Sequence, residues 1–267
     1  MRLALVQLGG QSLPDPDARR VAAAAVLADV PPVDLIVLPE LWPVGFFHFD
    51  DYDRFAEPLD GPTARFAADL AAARSCWVHG GSFVEQASAL LHNTSVLVDP
   101  TGTPRLHYRK VHLFGYQSRE QALLHPGRTA SVTDGPGGLR AGAATCYDLR
   151  FPEIFRAMQD DGAQCFLVTS AWPAARLEHW RILCRARALE NLAFLIACNA
   201  VGDDNGVTLG GHSMVVDPLG EIVAEAGDGE QTLVVDIEPE RVDAVRAEFP
   251  FLTDRADNVV PADLTRP

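Results

Sequence analysis

The chain has 267 residues and a net charge of −14, from 36 acidic against 22 basic residues. It carries no Lys/Arg-rich stretch, the footprint that nucleic-acid binding leaves, and no apolar run approaching the ~20 residues of a membrane span. With 48% hydrophobic and 22% charged residues, it reads as one α/β domain over residues 1–267, large enough to need no disulfide staples.

Strand and helix alternate along the chain. The opening MRLALVQLGGQ is too short for a secretory signal, and Arg2–Leu8 reads as a first core strand. Asp17–Asp29 is Ala-rich and helical, and Pro31-Pro32 ends it. Asp34–Pro39 (DLIVLP) is a buried strand that stops at Glu40. Pro62–Arg74 is a helix after a Gly-Pro start. Cys76–Glu85, Thr94–Asp99 and Arg105–Arg109 read as strands, the last two joined by an Asp-Pro-Thr-Gly turn.

Further on, Ser131–Thr133 and Leu139–Thr145 are strands around a Gly/Pro turn, and Pro152–Asp160 is a helix with Pro in its first turn. Gln164–Ser170 is a strand, Leu177–Asn191 a helix and Ala193–Asn199 a strand. His212–Val216 and Glu221–Glu225 form a hairpin. Gln231–Asp236 is a last strand and Pro239–Glu248 a last helix. Runs such as LIVL, CFLV and FLIAC are apolar on both faces, so helices cover both sides of the sheets. The hairpins require antiparallel pairing as well. A single α/β domain with mixed sheets follows, with one sheet or two left open.

The five cysteines, Cys76, Cys146, Cys165, Cys184 and Cys198, are odd in number and contain no CxxC. This is the pattern of a reduced, cytoplasmic protein. Four of them sit in apolar or helical surroundings and read as small core residues. Cys146 is different. It closes a small-residue strand (AGAATC) and is followed at once by YDLRFPE, so a thiol stands where a strand turns into a helix. A helix start or a nearby cation lowers a thiol pKa, and the backbone N–H groups after it point at what the sulfur attacks.

Two other ionisable residues stand at comparable strand ends. Glu40 is either a salt-bridged strand cap or a general base, its pKa raised by partial burial. Lys110, in HYRKVHLFG, is either a solvated edge lysine or a fixed cation for a developing oxyanion, aided by the backbone N–H of Tyr147. Glu120 lies ten residues on, in a polar loop, as a loop charge or a second carboxylate beside Lys110. Asp148 and Glu153 are expected to hold the turn by ion pairs. Arg150 and Arg176 are candidates for a substrate carboxylate, and Trp172 for a pocket wall. His112 reads as structural. A Cys/His alternative, with His112, His179 or His212 as base, has no local signature. The eight histidines do not cluster with carboxylates at ligand spacing, so no metal is expected.

LPELW around Glu40, YRKVHLF around Lys110 and TCYDLRFPE around Cys146, in this order and spacing, resemble the three signatures of the nitrilase superfamily of carbon–nitrogen hydrolases. The opening LALVQL, the segment EHWRILCRARALENLAFLIACNAVG and the hairpin GHSMVVDPLGEIVAEAG extend the resemblance over nearly the whole chain. It implies a four-layer α-β-β-α sandwich, a Glu40-Lys110-Cys146 triad with Glu120 as a second glutamate, a thioester intermediate, no metal or organic cofactor, and a homodimer paired across a helical layer. TCYDLRFPE and SAWPAARLEHWRILCRARALEN are most similar to the ω-amidase-like branch, which releases ammonia from monoamides of short dicarboxylic acids such as 2-oxoglutaramate. Hydrolysis of an N-carbamoyl compound or a deaminated-glutathione-like amide is one alternative within the superfamily, and a non-catalytic binding or scaffold protein that keeps the fold is the other. An amide is expected over a nitrile, because the long insertions and tail of filament-forming nitrilases are missing.

Overall fold

In the computed structural model, residues 1–9 and 15–256 are described. The first half of the chain runs β1 (Arg2–Gln7), α1 (Pro16–Ala28), β2 (Leu35–Val37), α2 (Tyr52–Phe55), α3 (Pro62–Arg74), β3 (Trp77–Ala87), β4 (Leu90–Val98), β5 (Pro104–Arg109) and α4 (Glu120–Leu123). The second half runs β6 (Val132–Asp134), β7 (Arg140–Thr145), α5 (Pro152–Asp160), β8 (Cys165–Ser170), α6 (Leu177–Asn191), β9 (Phe194–Asn199), β10 (Val201–Asp204), β11 (Val207–Gly210), β12 (Met214–Val216), β13 (Ile222–Glu225), β14 (Gln231–Asp236) and α7 (Arg241–Glu248).

Two six-stranded sheets form, in the orders β14-β1-β2-β3-β4-β5 and β13-β12-β9-β8-β7-β6. In each, three central strands are parallel (β1, β2, β3 and β7, β8, β9) and the outer ones are antiparallel. Alternation along the strands decides what each face meets. Ala4 and Val6 of β1 and Ile36 of β2 pack under Ala23 and Leu27 of α1 and Ala67 and Ala71 of α3. Leu3, Leu5, Leu35 and Val37 turn the other way, into one core with Ala141 and Ala143 of β7 and Leu167 of β8. On the far side of the second sheet, Phe166 meets Phe155 of α5 edge-on at 5.2 Å. Trp180, Cys184 and Ala188 of α6 are fully buried in the same cluster. The layers are therefore helix, sheet, sheet, helix, as the resemblance implied.

Three differences from the sequence reading have physical causes. β4 begins at Leu90 rather than Thr94, because β3 and β4 form one long hairpin in which Ala87 pairs with Leu90. The hairpin β10–β11 was not expected. Its two-residue turn, Asn205-Gly206, has φ of +53° and +84°, the left-handed pair that Asn-Gly favours. Glu120 lies in no loop: it opens the short helix α4 and is fully buried. All five cysteines are buried and unpaired.

Candidate active site

Glu40, Lys110 and Cys146 stand just past β2, at the end of β5 and just past β7. They meet where the parallel strands of both sheets present their carboxyl ends, the edge at which open α/β sheets form crevices. The chain past Glu40 is held in an unusual conformation. Leu41 has φ of +44°, and its N–H donates to Ser82 Oγ at 2.9 Å. Room for this turn comes from a register shift in β3 between His79 and Ser82. Gly81 (φ +67°) lies so close under it that a Cβ there would sit 2.2 Å from the Pro39 carbonyl oxygen.

The Glu40 carboxylate accepts from Lys110 Nζ at 2.8 Å, Asn93 Nδ2 at 2.8 Å and the backbone N–H of Ala171 at 2.9 Å. Glu120 accepts from Lys110 Nζ at 2.9 Å on both oxygens, from Asn93 Nδ2 at 3.1 Å and from the Phe114 N–H at 2.6 Å. Glu40, Lys110, Glu120 and Asn93 are all fully buried or 1% exposed. Lys110 is thus the bridge between two carboxylates, and the Phe46 ring lies 5.1 Å from its ammonium. Burial opposes the ammonium charge, but Glu120 and Glu40 override it and hold the lysine well above its usual range. Burial pushes the Glu120 carboxyl up, and Lys110 pulls it back only in part.

Cys146 follows β7 with φ of +46°, opening a 3-10 turn over Cys146–Arg150 rather than an α-helix, which starts at Pro152. The expectation that this turn and the lysine lower the thiol pKa fails. Burial, and then the charge of Glu40, push the Cys146 thiol far up, while Lys110 and the Ser170 hydroxyl only temper the rise. Burial and Glu40 thus favour the protonated thiol over the thiolate.

Asp148 fixes this turn to the opposite sheet. It accepts from the N–H of Thr145 at 2.9 Å, from Tyr108 Oη at 2.6 Å and from the N–H of His112 at 2.9 Å, and pairs with His112 Nδ1 at 2.8 Å. Tyr108 and His112 flank Lys110 in sequence, so one carboxylate ties the thiol turn to the lysine segment. The His112 ring stacks on Phe151 at 3.8 Å, in keeping with a structural role. Glu153, expected to brace the turn as well, is exposed and makes no ion pair among the described residues: the N–H, hydroxyl and imidazole donors all converge on Asp148.

Above the thiol is a cleft of about 310 Å³, counting space open to solvent. Phe46, Phe47, Phe114, Tyr147 and Trp172 line it, with Arg150 and Arg176. The Arg150 guanidinium lies 4.8 Å over the Trp172 ring, and that of Arg176 5.4 Å over Phe114. Neither arginine pairs with a carboxylate among the described residues. Cys146, Tyr147, Arg150, Trp172 and Arg176 thus come together in the cleft, with Glu40, Lys110 and Glu120 beneath. Asn93, Asp148's full role and the phenylalanine wall escaped the sequence reading. Asn93 sits in a polar run (His92-Asn93-Thr94-Ser95) and gave no local signal. Among the described residues no group of three or more His, Cys, Asp or Glu is placed to hold a metal ion.

The carbon-nitrogen hydrolase family model matches residues 2–247. The chain is 38% identical over 241 residues to a 2-oxoglutaramate amidase of Paenarthrobacter nicotinovorans, covering 88% of this chain and 82% of that one. It is 30% identical to the omega-amidase NIT2 of Homo sapiens over 100% of this chain and 99% of that one. A carbon–nitrogen hydrolase superfamily protein of Xanthomonas campestris, solved with an arsenic adduct in its active site, superposes with a TM-score of 0.89 at 32% identity, covering 98% and 99% of the two chains. The chain belongs to the carbon-nitrogen hydrolase family, the nitrilase superfamily.

Proposed function

We propose that this enzyme hydrolyses the terminal amide of a short 2-oxo dicarboxylic acid monoamide, of the 2-oxoglutaramate kind, through a thioester on Cys146. The observation that carries the reading is the buried Glu40–Lys110–Glu120 chain beside the buried Cys146 thiol, opening into a cleft walled by aromatics and two arginines without carboxylate partners among the described residues. The similarity to a 2-oxoglutaramate amidase supports the substrate class.

Cys146 Sγ attacks the amide carbon while Glu40 takes its proton. Lys110 Nζ and the Tyr147 N–H stabilise the oxyanion of the tetrahedral intermediate. Protonated Glu40 then gives its proton to the leaving nitrogen, and ammonia departs. Glu40 next takes a proton from water, whose oxygen attacks the thioester, and the acid leaves with the thiol restored. Glu120 and Asn93 keep Lys110 and Glu40 at these positions through both halves. Arg150 and Arg176 pair with the distal carboxylate of the substrate, and stacking on Trp172 and Phe114 holds their guanidinium planes.

Ammonia release from 2-oxoglutaramate, a carbamoyl amino acid, deaminated glutathione and a simple nitrile, compared between wild type and Cys146→Ala, tests the reading. Cys146-dependent release from 2-oxoglutaramate above the others is expected. A carbamoyl or glutathione substrate in first place overturns the substrate class.

The chain is further proposed to act as a single domain, in the cytoplasm, as a homodimer. No described helix is long and apolar enough to cross a membrane. Ile182 and Leu189, two turns apart on the outer face of α6, are 61% and 46% exposed, and Val223 of β13 is 45% exposed. An apolar face of this kind fits pairing across the helical layer. Light scattering is expected to give a dimer for the wild type and a monomer for Ile182→Glu/Leu189→Glu.

A further inference from the structure

A second groove lies on the other side of the first sheet. It opens between the edge strand β5 and the segment 125–133, and spans about 1400 Å³ counting space open to solvent, against 310 Å³ for the thiol cleft. The two share no lining residue. Strand alternation explains the separation. Tyr108 of β5 turns inward to Asp148 under the thiol, so Arg105, His107 and Arg109 project outward into the groove.

The chemistry of this groove is opposite to that of the molecule. The chain has 36 acidic residues and a net charge of −14, yet among the described residues no Asp or Glu lines the groove. Its walls carry Arg105, Arg109 and Arg128 with His92, His107 and His125. Arg109 is committed: its Nε and Nη2 donate to Glu85 at 2.8 and 2.6 Å. The others are not. Arg105 is 45% exposed and 3.8 Å from Asp99. Arg128 is exposed and makes no ion pair among the described residues. Hydroxyl side chains at 129, 131 and 133 add donors along one wall. The walls are also anchored. His125 N–H donates to the Leu91 carbonyl at 2.7 Å and Gly127 N–H to the Lys110 carbonyl at 2.8 Å, while the His125 carbonyl pairs with His92 Nδ1 at 2.7 Å. Guanidinium and hydroxyl donors on an anchored backbone, around a concavity with no acidic lining among the described residues, match anions with several oxygens.

We propose that this groove is a second binding site, separate from the thiol cleft, for a small organic molecule bearing two or more phosphate or carboxylate groups. Arg105 and Arg128 grip it from opposite walls.

Calorimetric titration of the full chain at low salt tests this, with inorganic pyrophosphate and citrate as the two probes. Low salt matters because exposed charges are screened. Saturable binding of either probe is expected, weakened at least about ten-fold by Arg105→Gln/Arg128→Gln, the scale of one lost charge-assisted contact. Arg176→Gln, at the mouth of the other cleft, is expected to leave that affinity unchanged. Preference for pyrophosphate assigns the site to phosphates, and preference for citrate assigns it to carboxylates. Both substituted arginines are exposed, and a thermal melt checks that the double variant is folded. Binding of neither probe, or binding that survives Arg105→Gln/Arg128→Gln or disappears in Arg176→Gln, overturns the proposal.

Discussion

At the scale of single residues, the balance of charge under the thiol decides the chemistry. Two carboxylates share one ammonium, and burial and Glu40 favour the thiol over the thiolate, so the proposed role of Glu40 is to take the proton as the sulfur attacks. Asn93 is the residue whose importance this account raises most. Like that of Lys110, its side chain donates to both Glu40 and Glu120. Asn93→Ala leaves two buried carboxylate oxygens short of a donor, at about 1–3 kcal/mol each. We expect kcat/KM to fall about 10- to 100-fold, with KM changed less than kcat. Steady-state kinetics check this, and an unaltered kcat would remove Asn93 from the catalytic cage. Lys110→Ala removes the bridging cation and is expected to cost kcat at least ~100-fold.

At the scale of elements, the site depends on two joints. The first is Asp148, which carries hydrogen bonds from both sheets. Asp148→Asn turns an acceptor into a donor facing other donors. It is expected to destabilise by about 2–4 kcal/mol and to lower turnover, because the thiol turn and the lysine segment come apart. Urea unfolding measures the first effect, and unchanged stability would mean that the joint carries no weight. The second joint is Gly81. Gly81→Ala forces a Cβ against the Pro39 carbonyl at positive φ, and should cost about 2–4 kcal/mol and displace Glu40.

What was legible in the sequence follows the same division. LPELW, YRKVHLF and TCYDLRFPE mark strand ends, where a buried apolar run stops at an ionisable residue, so the three residues that the structure brings together were readable. Glu120 and Asn93 were harder. Their function comes from contacts 27 residues apart in the chain, and a polar segment such as GYQSREQALL gives no sign that its glutamate is buried. The β10–β11 hairpin did carry its signal, Asn205-Gly206, but lies in a stretch too short and too polar to stand out as strands. The number of sheets depends on which edges pair, and no local pattern encodes that.

At the scale of the whole molecule, the buried thiols tie stability to pH. Burial pushes Cys165 and Cys198 up to about 12, and Cys146 and Lys110 are raised as well. A thiol in the unfolded chain ionises near ~8.5. Below that pH both states keep the proton, and the folded state has its full stability. Above it only the unfolded chain releases the proton, so stability falls as pH rises toward the folded values, by about 1.4 kcal/mol per unit for each such group. The urea midpoint is expected to be level between about pH 7 and 8 and to drop steadily above about pH 9. A midpoint that holds through pH 10 would contradict the burial assigned to these thiols.

The central claim is that Cys146, activated by Glu40, carries the acyl group. Acid-quenching the enzyme during turnover and weighing its peptides tests this most directly. The account predicts that the peptide containing Cys146 gains the mass of the substrate acyl group without its ammonia, and that folded Cys146→Ala forms no adduct and releases no ammonia. Undiminished ammonia release by folded Cys146→Ala would contradict it.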